Sequence, residues 1–241
     1  SRASDRPLSG PASGRCERQS ASGNSIPLSV AAHCLDVGQL WNQCLSRREV
    51  DCSALNRVVI ELSSAITPNT SELIPLAELK RHDEYTFAHT INVAIMSAAL
   101  AEVCGLSRRE VHDITVAAVL HDVGKTRVPQ DLLNKNGKLT GDELQVMRAH
   151  PIEGARILLE ARGVIPLTPI VAFEHHLHPD GSGYPSNIGP RPLHIASRIV
   201  QVADVFDALR TDRPYRAALS VEQAREIMMK DAGTSYDPAM L

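Results

Sequence analysis

The run Asp113-Ile114-Thr115-Val116-Ala117-Ala118-Val119-Leu120 stops at His121-Asp122-Val123-Gly124-Lys125, and this junction constrains the fold more than any other stretch. A helix over the run leaves an imidazole and a carboxylate side by side where the apolar residues end, with a glycine to close the turn. Histidine supplies a neutral nitrogen ligand and a carboxylate can bridge two cations, so Asp122 is the candidate for holding two metals. Lys125, just beyond, is the candidate cation for an anionic substrate. Such pairs also arise by chance, and the weight of this one depends on what flanks it.

Tyr85 to Val103 carries apolar residues at helical spacing and ends at Gly105. Ser107 can cap the helix from Arg108 to His121. Leu132 to Leu139 reads as a polar loop. Thr140 with Glu143 forms a capping box for a helix that runs through His150 and Pro151 to Leu159, with a kink expected at the proline. Thr168 to His176 and Ile195 to Leu209 are further helices, separated by the glycine-punctuated loop Pro179 to Pro185. Ser220 with Gln223 caps a last helix ending at Gly233, and Tyr236-Asp237-Pro238 can open one more. Upstream, Ser53 to Leu62 and Glu72 to Lys80 suggest short helices within 51–82. Residues 1–50 read as a flexible or linker-like segment: the first 25 are rich in Ser, Gly, Pro and Arg, and Ile26 to Trp41 shows no clean pattern. No strand pattern or internal repeat stands out, so the body from residue 83 reads as an all-α helical bundle.

His89, His121, Asp122, His150, His175, His176 and Asp204 fall on five of these helices. A helical bundle builds an interior metal site from such side chains. His89 and Asp204 lie among apolar neighbours, where a bare carboxylate is costly to bury. Imidazoles mixed with carboxylates favour two divalent ions of iron or manganese, with zinc, nickel and cobalt also compatible. Arg213 and Arg216 follow the Asp204 helix, and a guanidinium fork fits a phosphodiester or a guanine edge. His33, His82, His112, His178 and His194 read as ordinary polar residues.

The formal net charge of −3 argues against a DNA- or RNA-binding surface but leaves room for a small anionic ligand. Five scattered cysteines without a CxxC pair suit free thiols in a reducing, cytoplasmic compartment. No apolar stretch reaches membrane-spanning length.

With these pieces assembled, the chain from about Glu84 onward resembles the HD-GYP branch of the HD-domain metal phosphohydrolases. The matching segments are Tyr85 to Thr90, His121 to Lys125 with Val128-Pro129, Lys138 to Thr140 and His150-Pro151 with Gly154. They continue with His175-His176, Asp180 to Pro185, Val202 to Leu209 and Arg213 to Arg216. The resemblance implies an HD-domain bundle over 83–241 that hydrolyses cyclic di-GMP to linear pGpG, and in some members to GMP, through a metal-bridging hydroxide. It assigns the seven histidine and aspartate candidates as metal ligands and Lys125, Arg213 and Arg216 as substrate contacts. Asp207 supports the site. Tyr184 lies on a pocket-rim loop linked to contacts with cyclase (GGDEF) domains. The resemblance does not reach residues 1–50, whose opening stretch is a candidate linker or remnant of an upstream regulatory domain. Tyr85 stands where some members carry a glutamate ligand for a third metal, so two metals are expected. Leu177 replaces the usual glutamate after the histidine pair, which implies a lost acceptor for an imidazole N–H. The alternative reading is therefore a weak or inactive cyclic di-GMP-binding module that interacts with GGDEF proteins.

Overall fold

The computed structural model describes residues 28–64, 82–135, 137–212 and 217–241. Ten α-helices occur among them: α1 (Leu28–Arg47), α2 (Cys52–Ser64), α3 (His82–Val103), α4 (Arg108–Leu120), α5 (Gln130–Leu133), α6 (Gly141–Met147), α7 (His150–Glu160), α8 (Leu167–Glu174), α9 (Ile195–Arg210) and α10 (Val221–Lys230). Short 3-10 turns cover Val123–Arg127 and Pro238–Met240. Extended pairing among the described residues is confined to isolated bridges, so the all-α reading holds.

The core is aliphatic and rich in alanine. Helix α3 lies at its centre, packed against α4, α9 and α1, while α7 packs on α8 and on the 3-10 turn after α4. Ala94, Ala98 and Ala101 on α3, Ala117 and Ala118 on α4, and Ala196 on α9 are all fully buried. Small residues at these crossings let helix axes approach closely, which a chain with 3% aromatic residues can do throughout. The caps expected at Ser107, Thr140/Glu143 and Ser220/Gln223 all form as capping boxes, Ser107 with Glu110, each satisfying two backbone donors that a helix start leaves open.

Two expectations need correction. Within 1–50, the linker-like reading fails over Leu28–Arg47: this stretch is helix α1, and Val37, Leu40, Trp41 and Cys44 are buried against the bundle. Their spacing of three, one and three residues is a helical stripe, too short to stand out beside the polar residues around it. The single kinked helix through Pro151 is instead two helices, because α6 ends at Met147 and α7 restarts at His150 with the proline in its first turn. There a missing N–H costs nothing, so proline starts a helix more easily than it bends one. The expected helix at Glu72 to Lys80 lies outside the described residues, as do residues 1–27.

Candidate metal centre

Helix α4 delivers the central pair. His121 is its C-cap in helical conformation, and Asp122 then leaves the α region (φ −100°, ψ 7°) to start the 3-10 turn. This change of winding points the two side chains into the space between α3, α7, α8 and α9. Gly124 is the reason α7 can come so close: a Cβ there would lie 2.0 Å from the His150 carbonyl oxygen and 2.6 Å from the Gly154 nitrogen. The turn and the first turn of α7 touch backbone to backbone, which sets His150 beside Asp122. Helix α8 ends in the buried His175, and α9 contributes Asp204 and Asp207 one turn apart.

The candidates converge as two groups. Asp122, His150, His175 and His176 each offer an atom within 4.8 Å of the others, and so do His89, His121 and Asp204. Asp122 stands between them. Its Oδ1 is 3.2 Å from His150 Nε2 and 3.7 Å from His175 Nε2, while its Oδ2 is 3.3 Å from His121 Nε2 and 2.5 Å from Lys125 Nζ.

Hydrogen bonds fix most of the imidazoles. His121 Nδ1 donates to the Ala118 carbonyl at 2.6 Å, His150 Nδ1 to Met147 at 2.9 Å and His175 Nδ1 to Ala172 at 2.9 Å. A carbonyl only accepts, so in each ring Nδ1 carries a proton, and in the neutral ring Nε2 presents a lone pair. His89 Nδ1 is held by Asp207 Oδ2 at 2.6 Å, and Asn92 Nδ2 donates to the other Asp207 oxygen at 2.9 Å. Leu177 therefore deprives none of these four rings of an acceptor. The expected loss falls on His176, whose nearest carboxylate oxygen, on Asp204, is 3.9 Å from Nδ1. Its plane is set instead by Tyr184, stacked on it at 4.4 Å between ring centroids. Gly183 makes this possible: its φ of +84° turns the loop back, Tyr184 N–H reaches the His176 carbonyl at 3.0 Å, and a Cβ at 183 would lie 2.3 Å from that oxygen.

These lone pairs need a cation. His150 Nε2 and His175 Nε2 face each other at 3.2 Å, and as neutral rings protonated on Nδ1 neither has a proton there to share. Among the described residues, His121 Nε2 and Asp122 Oδ1 are buried without a hydrogen-bond partner. Bare acceptors this close repel one another unless something positive lies between them, and about 3 Å is the spacing of neighbouring nitrogens on one ion with bonds near 2.1 Å. The donor set thus fits divalent metal. Electrostatics agree for the rings on α8: burial lowers the His175 pKa to about 4, and burial with the His175 neighbour holds His176 well below its usual range, so both are neutral. Burial opposes charge on His89 as well, but the Asp204 and Asp207 carboxylates override it and raise the ring to about 9. Burial also disfavours the Asp122 carboxylate, yet Lys125 and His121 keep its pKa well below the ordinary value.

Arg213 and Arg216 lie outside the described residues, as does the side chain of Tyr85. Sequence reasoning missed Glu174. This buried carboxylate accepts from Ser197 Oγ at 2.8 Å, His194 N–H at 3.0 Å and Arg191 at 3.2 Å, tying the end of α8 to the start of α9. Its signal was present, an acid on an apolar helix immediately before the histidine pair.

A family model described as HD domain matches residues 70–240. The chain is 36% identical over 189 residues to the cyclic di-GMP phosphodiesterase PA4108 of Pseudomonas aeruginosa, covering 78% of this chain and 45% of that protein. It is 35% identical over 214 residues to the cyclic di-GMP phosphodiesterase response regulator RpfG of Xanthomonas campestris, covering 88% and 57%. A 3'3'-cGAMP-specific phosphodiesterase of Vibrio cholerae is 38% identical over 157 residues, covering 65% of this chain and 30% of its own length. The chain thus spans about half the length, or less, of these curated relatives. Among solved structures, Bd1817, a HDG"Y"P protein from Bdellovibrio bacteriovorus, superposes with a TM-score of 0.69 at 18% identity, over 88% of this chain and 67% of that one. Matched along most of its length and carrying Gly183-Tyr184-Pro185 beside its histidine–aspartate cluster, the chain belongs to the HD domain family, in its HD-GYP branch.

Proposed function

We propose that this chain is a metal-dependent phosphodiesterase that hydrolyses cyclic di-GMP to linear pGpG, and on to GMP where the second bond is also cut. The observation that carries the reading is the pair of facing His150 and His175 nitrogens beside Asp122, an arrangement of donor atoms that a bound cation reconciles. In this reading His89, His121, Asp122, His150, His175, His176 and Asp204 would hold two ions of iron or manganese. Such a pair would supply Lewis acidity at phosphorus and activate a water. The chain's own residues do the rest. Asp207 orients His89, Lys125 neutralises charge on Asp122 and on the scissile phosphate, and Tyr184 holds His176 and forms one wall beside the substrate. Arg213 and Arg216 bind the dinucleotide. GGDEF-domain proteins are the proposed protein partners, and a regulatory domain upstream of α1 the proposed source of input.

The test pairs metal analysis of anaerobically prepared protein with a product assay on cyclic di-GMP and 3'3'-cGAMP. Linear product from the wild type, with metal content and turnover both lost in Asp122→Ala, is the expected result. Substantial hydrolysis by that variant would sink the ligand assignment. The buried, apolar Leu177 and the unanchored Nδ1 of His176 favour a second reading, a binding module with little turnover. Tight cyclic di-GMP binding by metal-loaded protein without product would select it.

A further inference from the structure

The segment between α6 and α7 carries a cation that the reading above leaves unused. Arg148 is the C-cap of α6, two residues before His150, and the break that Pro151 imposes is what places it there. Its guanidinium carbon lies 5.4 Å from the centroid of the Tyr184 ring. The same ring stacks on His176 at 4.4 Å, with 30° between planes, and meets His150 edge-on at 6.0 Å. Tyr184 is thus a spacer between the metal centre and a positive charge at its mouth.

A cation at a helix C-terminus has an ordinary explanation in the helix dipole. Two observations exceed it. Arg148 is exposed and, among the described residues, has no carboxylate partner, whereas Lys125 pairs with Asp122 at 2.5 Å, inside the site. The aromatic face also favours guanidinium positions beside Tyr184, the ring that stacks on His176. A cation on that ring suits an anion joined to the phosphate at the ligand cluster.

We infer that Arg148 is a substrate-binding residue that recognises the second, uncleaved phosphate of the cyclic dinucleotide through its guanidinium donors, with Tyr184 as its platform. The inference rests on the phosphodiesterase reading. It makes Arg148 a determinant of substrate size and charge: a phosphodiester with one phosphate has nothing to give it.

The experiment compares Arg148→Ala and Arg148→Lys with wild type, each loaded with manganese, on cyclic di-GMP and on bis(p-nitrophenyl) phosphate. Loss of a charge-assisted hydrogen bond costs about tenfold or more. The ratio of kcat/KM for cyclic di-GMP to that for the small diester is therefore expected to fall about tenfold or more in the alanine variant, mainly through KM. Lysine, which keeps the charge but not the fork, should restore part of it. An unchanged ratio, whether both activities persist or fall together, overturns the inference; a parallel fall would mean that Arg148 acts on the metal centre through Tyr184. If the wild type turns over neither diester, the phosphodiesterase reading fails on its own, and equilibrium binding of cyclic di-GMP decides the inference. A dissociation constant about tenfold or more weaker in Arg148→Ala supports it, and equal or undetectable binding by both proteins overturns it.

Discussion

At the scale of single residues, the centre depends on which ring nitrogen is left bare. Backbone carbonyls at 118, 147 and 172 hold His121, His150 and His175, whereas His89 Nδ1 is held by the Asp207 carboxylate. Replacing Asp207 with asparagine keeps the shape and weakens the acceptor that orients His89. Losses of this kind typically cost about 10–100-fold in metal affinity or activity, and a metal titration of Asp207→Asn should fall in that range while the fold persists. Retention of wild-type affinity would show that packing alone orients the ring. All seven ligand candidates were legible in the sequence, because chemistry-bearing residues are rare on apolar faces. Their partners were not: a carbonyl acceptor has no sequence signature, and the Leu177 departure looked more damaging than the carbonyl anchors now make it.

At the scale of elements, the approach of α7 to the turn after α4 is the contact that joins the two donor groups. Gly124 has no room for a methyl group, since the His150 carbonyl and Gly154 nitrogen already occupy the space. Gly124→Ala should therefore destabilise the fold by about 1–3 kcal/mol, the usual cost of overpacking, because only backbone can yield there. Denaturant unfolding gives that figure, and metal content should drop with it as His150 is displaced from Asp122. A stable, fully metallated variant would mean that α7 can retreat without cost. Helix caps were readable at three starts because a capping box has a fixed spacing. The break at Met147 to His150 was not, since helical periodicity continues across it and only the cost of an interior proline argues otherwise.

At the scale of the whole molecule, α1 joins a bundle in which α3, α4, α7, α8 and α9 carry the candidate site. Trp41 on α1 donates its Nε1–H to the Val119 carbonyl at 3.0 Å, on the last turn of α4, and packs edge-on against Phe87 of α3. Trp41→Phe keeps a ring in place but leaves a buried carbonyl without this donor, at a cost of about 1–3 kcal/mol. Its unfolding midpoint should fall accordingly; an unchanged midpoint would mean that α1 contributes little to the bundle. Metal should act oppositely, stabilising the fold by about 2.7 kcal/mol at 100 times its dissociation constant, and a chelator should reverse the gain. The bundle from α3 onward was visible in the sequence as alternating apolar faces and stops. Helix α1 was not, because its four buried residues gain meaning only from the surface that α3 and α4 present to them.

Trp41 is the single tryptophan of the chain, and its hydrogen bond ends two residues before His121. The protein therefore holds its own fluorophore, wedged against the strut that carries the first ligand candidates, and ultraviolet emission can report on occupancy without any label. Ions with unpaired electrons should dim that glow in proportion to filling, whereas diamagnetic zinc should leave its brightness nearly intact. A spectrofluorometer would then separate loading from catalysis before any nucleotide is added.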